Sequence, residues 1–132
     1  MSHLPAVLAD GVFYASWLFL IAVGLTLIYG VMHILNLAHG SFYALGAYAA
    51  ASAGGAWLAH GYAPWASYLV IVLAAVLAGG LVGPIIERGL LRFMYGRDEI
   101  TLLLVTYAVL LILEDAIKLL WGVDSYFLAE PY

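Results

Sequence analysis

The chain has no cysteine and very few charged residues. Among its 132 residues, charged side chains make up 9% and hydrophobic ones 67%. The absence of cysteine excludes a disulfide framework and any metal site built on thiolates. The scarcity of charge excludes a soluble globular domain, in which about 25% of residues are charged. The four Lys and Arg residues are outnumbered by eight Asp and Glu, so no basic surface for nucleic acid is expected and nucleic acid is not a predicted partner.

The longest stretch without charge indicates the class of protein. No Asp, Glu, Lys or Arg occurs between Asp10 and Glu87. A transmembrane helix takes about 20 mostly apolar residues, so this stretch has room for three spans and two short connections. We therefore predict an all-α, polytopic helical membrane protein, with residues 1–132 forming a single transmembrane domain in contact with membrane lipid.

About four transmembrane helices are predicted, and the basic residues orient them. The spans cover residues 11–32, 37–57, 65–86 and 100–121. Arg88, Arg92 and Arg97 all lie between the third and fourth spans, so the positive-inside rule places loop 87–99 in the cytoplasm. Counting crossings from this loop puts the N-terminus and residues 122–132 outside. If the second span does not cross fully, the N-terminus lies inside instead.

The connection between the first two spans is unusual for a cytoplasmic loop because it is short and uncharged. It reads HILNLAHG from His33 to Gly40. Irregular backbone at membrane depth persists only when it is buried in protein or lines a water-filled cavity. One interpretation is that Asn36 caps the following helix and His39 bonds a backbone carbonyl. The other is a broken helix beside a permeation path.

His33 and His39 raise the possibility of a metal site and of an intramembrane enzyme built on it. The uncharged stretch offers no carboxylate to complete a ligand set, and cysteine is absent. A six-residue separation also does not place two side chains on one face of a helix, as the spacing in H-E-x-x-H does. The sequence therefore predicts neither a metal nor an enzyme.

Small residues at helical spacing predict close packing of the second and third spans. Ala47, Ala51 and Gly55 recur every four residues in the second span, and Gly79 and Gly83 form a GxxxG in the third. Small side chains let helix backbones approach closely in lipid. We expect both spans to lie inside a helix bundle.

Charged residues also occur within the fourth span. Glu114 lies about 21 Å along a helix from Ile100, inside an apolar core that is about 30 Å thick. Charges at such depth usually face the bundle interior or a water-filled path. Lys118 follows Glu114 by four residues and Asp115 by three, so it can pair with either on one helix surface. This spacing favours a structural ion pair over a functional carboxylate.

Two stretches of the sequence together carry a family resemblance. The first stretch begins at Gly24-Leu25-Thr26 and continues through Asn36-Leu37-Ala38-His39-Gly40, the most specific part. The second contains the runs ERGLLR, YGRD, LILED and LLWG between residues 87 and 122. In order and spacing, across residues 11–122, they resemble the permeases of branched-chain amino acid ABC importers, and in particular the first of their two permease types.

The resemblance implies a heteromeric importer in the bacterial inner membrane. A second permease subunit, cytoplasmic ATPase subunits and a periplasmic amino-acid-binding protein would be its partners, and the chain would carry no cofactor or P-loop of its own. Transport would proceed by alternating access. The candidate path residues are Asn36, Ala38, His39, Gly40 and Glu114.

The family's permeases are longer than this chain and have more spans. The resemblance therefore implies that residues 1–132 are the N-terminal half of a permease, and no segment matches the family's docking site for the ATPase. An alternative is a truncated, non-transporting membrane subunit or scaffold that only packs with partner helices.

Overall fold

The structure, a computed structural model, describes residues 4–123, and every regular element in this range is helical. The predicted outer segment 122–132 therefore lies almost entirely outside the described residues. We number the helices in chain order, treating the third as continuous. They are α1 (Leu4–Met32), α2 (His39–Ala59), α3 (Pro64–Met94) and α4 (Glu99–Trp121).

Three of the four helices within residues 4–123 are long and apolar enough to cross a membrane, namely α1, α3 and α4. The sequence predicted about four such helices, and the difference concerns α2. This helix spans 21 residues, but its many Gly, Ala, Ser and Tyr residues leave it less apolar than its neighbours. It begins at His39, two residues later than predicted, after a non-helical segment.

Helix α1 ends just before a residue with a left-handed backbone conformation. His33 has a φ of 52°, which lies in the left-handed region that few residues other than glycine adopt. Its backbone N–H still bonds the carbonyl of Tyr29 at 2.8 Å, so α1 is completed just before the turn. Contacts between α1 and α2 include Trp17, whose indole N–H donates to the hydroxyl of Tyr43.

Helix α3 extends beyond its predicted end. The expected loop 87–99 is helical as far as Met94, so the connection to α4 comprises only residues 95–98. Pro84 lies inside the helix and lacks a backbone donor, and the next turn widens into a π-helix at Glu87–Leu91. Arg88 and Arg92 therefore lie on the last turns of a helix instead of in a loop.

Asp98 starts α4 as its N-cap. Its carboxylate accepts hydrogen bonds from the backbone N–H of Thr101 at 3.1 Å and from the Thr101 hydroxyl at 2.7 Å. These bonds satisfy donors that a helix end leaves unpaired. They also hold the pKa of the Asp98 carboxyl below its usual value.

The buried side of the molecule follows one stripe of α4. Its members recur every three or four residues, as expected for a helix with one side facing the protein, and α2, α3 and the non-helical segment pack around it. They are Leu102, Thr106, Val109, Leu113 and Ile117.

Helices α2 and α3 pack closely, with a register that differs from the small-residue pattern. A Cβ on Gly46 would lie 4.0 Å from the Cβ of Ala75, whereas open space surrounds Gly79 and Gly83. The buried residues of α2 are Leu45, Ala50 and Gly54. Of the residues predicted to pack, Ala51 and Gly55 are partly buried and Ala47 is exposed.

Candidate functional site

The non-helical segment 33–38 is bound to α4 by one buried threonine. The backbone N–H of Leu37 donates to Thr106 Oγ1 at 3.3 Å. The same oxygen lies 3.3 Å from the carbonyl of Leu35 and 3.1 Å from that of Leu103, to which it donates. Thr106 has no exposed surface. A side chain of α4 thus supplies the bonding that this stretch of backbone would make within a helix.

Asn36 closes the turn that leads into α2. Its side-chain Oδ1 accepts from the backbone N–H of Ala38 at 3.0 Å, and its carbonyl accepts from the N–H of His39 at 3.2 Å. Asparagine favours such turns because its short side chain can bond the backbone two residues on. Asn36 therefore shapes the turn before α2, and its side chain does not bond the first turn of the helix itself.

The start of α2 lies beside the middle of α4. Ala38 is buried in a cluster with Val109 and Leu113, which are about halfway along the 23-residue α4. Farther along α2, the hydroxyl of Ser52 accepts from the indole of Trp121, so the two helices run in the same direction. The 33–38 segment thus covers the first half of α4, and α2 covers the second half and continues beyond it.

His39 contacts the backbone of α1. A Cβ placed on Gly24 would lie only 2.8 Å from His39 Nε2, so the imidazole fits against α1 because residue 24 has no side chain. His33, at the other end of the segment, instead borders a pocket together with Tyr95 and Glu99. The two histidines therefore do not form a pair. Within residues 4–123 no group of three His, Asp or Glu side chains could hold a metal ion.

A cleft of about 420 Å³ lies between the first half of α2 and the second half of α4. Both polar and apolar groups line it, which is typical of sites for small organic molecules. The lining includes Gly40, Ser41, Ala44 and Tyr48 from α2 and Leu110, Glu114, Ile117 and Lys118 from α4.

An ion pair lies at this cleft. Lys118 Nζ is 2.7 Å from Glu114 Oε1, and the two side chains are 48% and 50% exposed. The spacing in the sequence predicted such a pair, and the structure contains it. Because half of each side chain is uncovered, the pair faces the open cleft instead of being sealed in the protein.

The family model described as branched-chain amino acid transport system, permease component, matches residues 7–127. The chain belongs to this permease family. The permease is therefore a multi-pass membrane transport protein and not an enzyme. No curated protein and no solved structure matches it.

Two of the five residues predicted for the permease's path line the cleft, namely Gly40 and Glu114. The other three lie next to it in the chain but have different surroundings. Ala38 is only 1% exposed and belongs to the apolar core. Asn36 holds the turn, and His39 contacts α1. The structure therefore separates residues that line the cleft from residues that shape its edge.

Sequence reasoning missed two residues that position this site. Thr106 bonds the carbonyl of Leu103 in its own helix, and its bonds to the 33–38 segment were not foreseen. A hydroxyl in the middle of the apolar stripe of α4 was the available signal. Gly24 offered no signal of its contact with His39, because it is one of 14 glycines in the sequence.

Proposed function

We propose that this chain is the N-terminal half of the transmembrane permease of an ABC importer for branched-chain amino acids, of the first permease type. The observation that carries the proposal is the family match over residues 7–127. The run Asn36–Gly40, which resembles the first permease type, supports the finer assignment. It lies in the structure where the helical path is interrupted.

The interrupted backbone supports a transport path at the cleft. Transporters commonly place their substrate sites near the midplane, where helices are broken, and α2 begins beside the middle of α4. In this mechanism Gly40 and Glu114 line the path, while Asn36, Ala38 and His39 hold the start of α2 in place. Alternating access then moves α2 and the 33–38 segment relative to α1.

Partners and orientation follow from the same assignment. A second permease subunit completes the channel, cytoplasmic ATPase subunits supply the energy, and a periplasmic binding protein delivers the amino acid at the bacterial inner membrane. Arg88 and Arg92 at the end of α3, and Arg97 in the loop itself, support a cytoplasmic location for loop 95–98. His33, just after the end of α1, borders a pocket with Tyr95 and Glu99. This contact supports placing the end of α1 on the same side as the loop, so the N-terminus is outside even though α2 starts near the middle of the membrane.

The proposal is tested by deleting the gene and restoring it with variants in its natural length. Deletion should abolish high-affinity uptake of radiolabelled leucine, isoleucine and valine, and the unchanged gene should restore it. The variant His39→Ala should restore uptake poorly at a normal membrane level. His60→Ala, at the far end of α2, is the matched control and should restore uptake fully. Uptake that survives deletion would contradict the importer assignment.

A second candidate function is a non-transporting subunit that packs with partner helices. The open space beside Gly79 and Gly83 on α3 favours it, because small residues in a membrane helix accommodate another helix. The substitution Gly83→Leu tests the packing face, and deletion of the gene distinguishes the two functions. A scaffold predicts that the substitution lowers partner recovery in co-purification while deletion of the gene leaves uptake intact.

A further inference from the structure

We propose that the cleft between α2 and α4 binds the zwitterionic head of an α-amino acid by insertion between Glu114 and Lys118. The inference rests on the proposed importer function and deepens it by assigning the groups that recognise the substrate. The substrate ammonium binds the Glu114 carboxylate, and the substrate carboxylate binds the Lys118 ammonium.

The geometry of the ion pair supports this exchange. Glu114 Oε1 and Lys118 Nζ are 2.7 Å apart at the edge of the cleft, and about half of each side chain is exposed. A carboxylate has two acceptor oxygens and a lysine ammonium has three donors, so one mutual hydrogen bond leaves each group with capacity for a ligand. The ammonium and the carboxylate of an α-amino acid are joined through a single carbon, so both can bind two flexible side chains that lie one helix turn apart.

Charge balance explains which substrates the site accepts. The ion pair has no net charge, and a zwitterionic amino acid has none either. Insertion of the amino acid therefore replaces one charge contact with two and adds no net charge. An amino acid with a charged side chain would bring an unpaired charge into the apolar part of the membrane, where isolated charges are costly. The site therefore selects amino acids with neutral side chains.

The remaining lining accommodates an aliphatic side chain. Ala44 from α2 and Leu110 and Ile117 from α4 form apolar walls on the same cleft. Burial of an aliphatic group against such walls is favourable in proportion to its area. The volume of about 420 Å³ falls within the range of about 300–1,000 Å³ that is typical of small-molecule sites.

The test measures binding of free amino acids to the purified, complete importer without its binding protein, by saturation-transfer NMR and titration. Leucine is compared with leucinol, which lacks the carboxylate, with 4-methylpentanoate, which lacks the ammonium, and with lysine and glutamate. Leucine should bind, and each analogue should bind more weakly by on the order of tenfold or more.

Three variants separate recognition from structural support. The neutral pair Glu114→Gln with Lys118→Gln should lose leucine binding, whereas the exchanged pair Glu114→Lys with Lys118→Glu should retain part of it. Asp115→Asn is the matched control, since Asp115 is the neighbouring charge and does not line the cleft, and it should bind leucine normally. Correct assembly of each variant is checked by its ATPase activity.

Two outcomes would overturn the inference while leaving the importer function intact. One is normal leucine binding by the neutral pair, and the other is equal binding of leucine and 4-methylpentanoate by the unchanged importer. Failure of the proposed importer function would be recognised separately, because cells that lack the gene would then still take up branched-chain amino acids.

Discussion

Thr106 accepts a hydrogen bond from the backbone N–H of Leu37 at 3.3 Å and thereby joins the non-helical segment to the centre of the bundle. Leu37 is partly buried, and Thr106 has no exposed surface. A backbone donor in such a place needs a partner, because an unsatisfied one costs free energy. One hydroxyl therefore maintains a break in the helical path that would otherwise be unfavourable.

Thr106→Val should destabilise the permease by about 1–3 kcal/mol, because it keeps the shape of the side chain but leaves buried polar groups unpaired. The measurement is the free energy of unfolding of the purified protein in detergent, together with hydrogen exchange at the Leu37 amide. Thr106→Ser, which keeps the hydroxyl, should protect that amide as threonine does. Equal protection in the valine variant would show that the hydroxyl does not hold the segment.

Gly24→Ala should displace the His39 imidazole. The new Cβ would lie 2.8 Å from His39 Nε2, which is closer than nonbonded atoms tolerate, and the ring is easier to move than helix α1. The ¹⁵N shifts of the His39 imidazole report the change, and leucine uptake should fall. Gly30→Ala on the same helix meets open space and should leave both unchanged. If the two variants behave alike, the contact does not position His39.

Ala38→Leu should lower stability by about 1–3 kcal/mol, the usual cost of overfilling a packed core. Ala38 is only 1% exposed and lies against Val109 and Leu113, so the larger side chain pushes the start of α2 away from α4. The midpoint of thermal unfolding measures the effect. Ala47→Leu, at an exposed position of the same helix, should change it little. If Ala38→Leu left the midpoint unchanged, the contact between the start of α2 and α4 would have room for a larger side chain.

Asp98 should make the start of α4 sensitive to acid. Its pKa is lowered by the hydrogen bonds from Thr101, so the ionised carboxylate stabilises the folded chain. This contribution is complete above the unfolded pKa of about 3.9 and disappears as the pH falls through the lower folded value. The unfolding midpoint of the wild type should exceed that of Asp98→Asn at pH 7, and the difference should vanish in strong acid. A difference that is constant with pH would exclude a role for the charge.

The sequence was sufficient to predict most of the helical framework. Apolar length alone places the end of α1 at Met32 and the fourth span within a residue of Glu99–Trp121. The interruption after α1 was also foreseen, because HILNLAHG lacks the charges of an ordinary loop. These features are local, since each depends on residues that are near neighbours in the chain.

Other features depend on distant contacts and could not be predicted in this way. Arg88 and Arg92 were assigned to a loop, but long basic side chains can extend from a helix towards water, so they do not end α3. The small residues of α2 predicted close packing without indicating which neighbour each would meet. The Gly24–His39 contact depends on how two helices approach each other, which no spacing within one helix encodes.

The hydrogen bond between Leu37 and Thr106 also has a consequence for biogenesis. The two residues are 69 positions apart, so the ribosome synthesises α2 and α3 before the partner of Leu37 exists. During that interval the 33–38 segment must be hydrated or sheltered by the insertion machinery, because lipid offers its backbone no partner. We therefore expect α2 to reach its final depth only after α4 has entered the membrane.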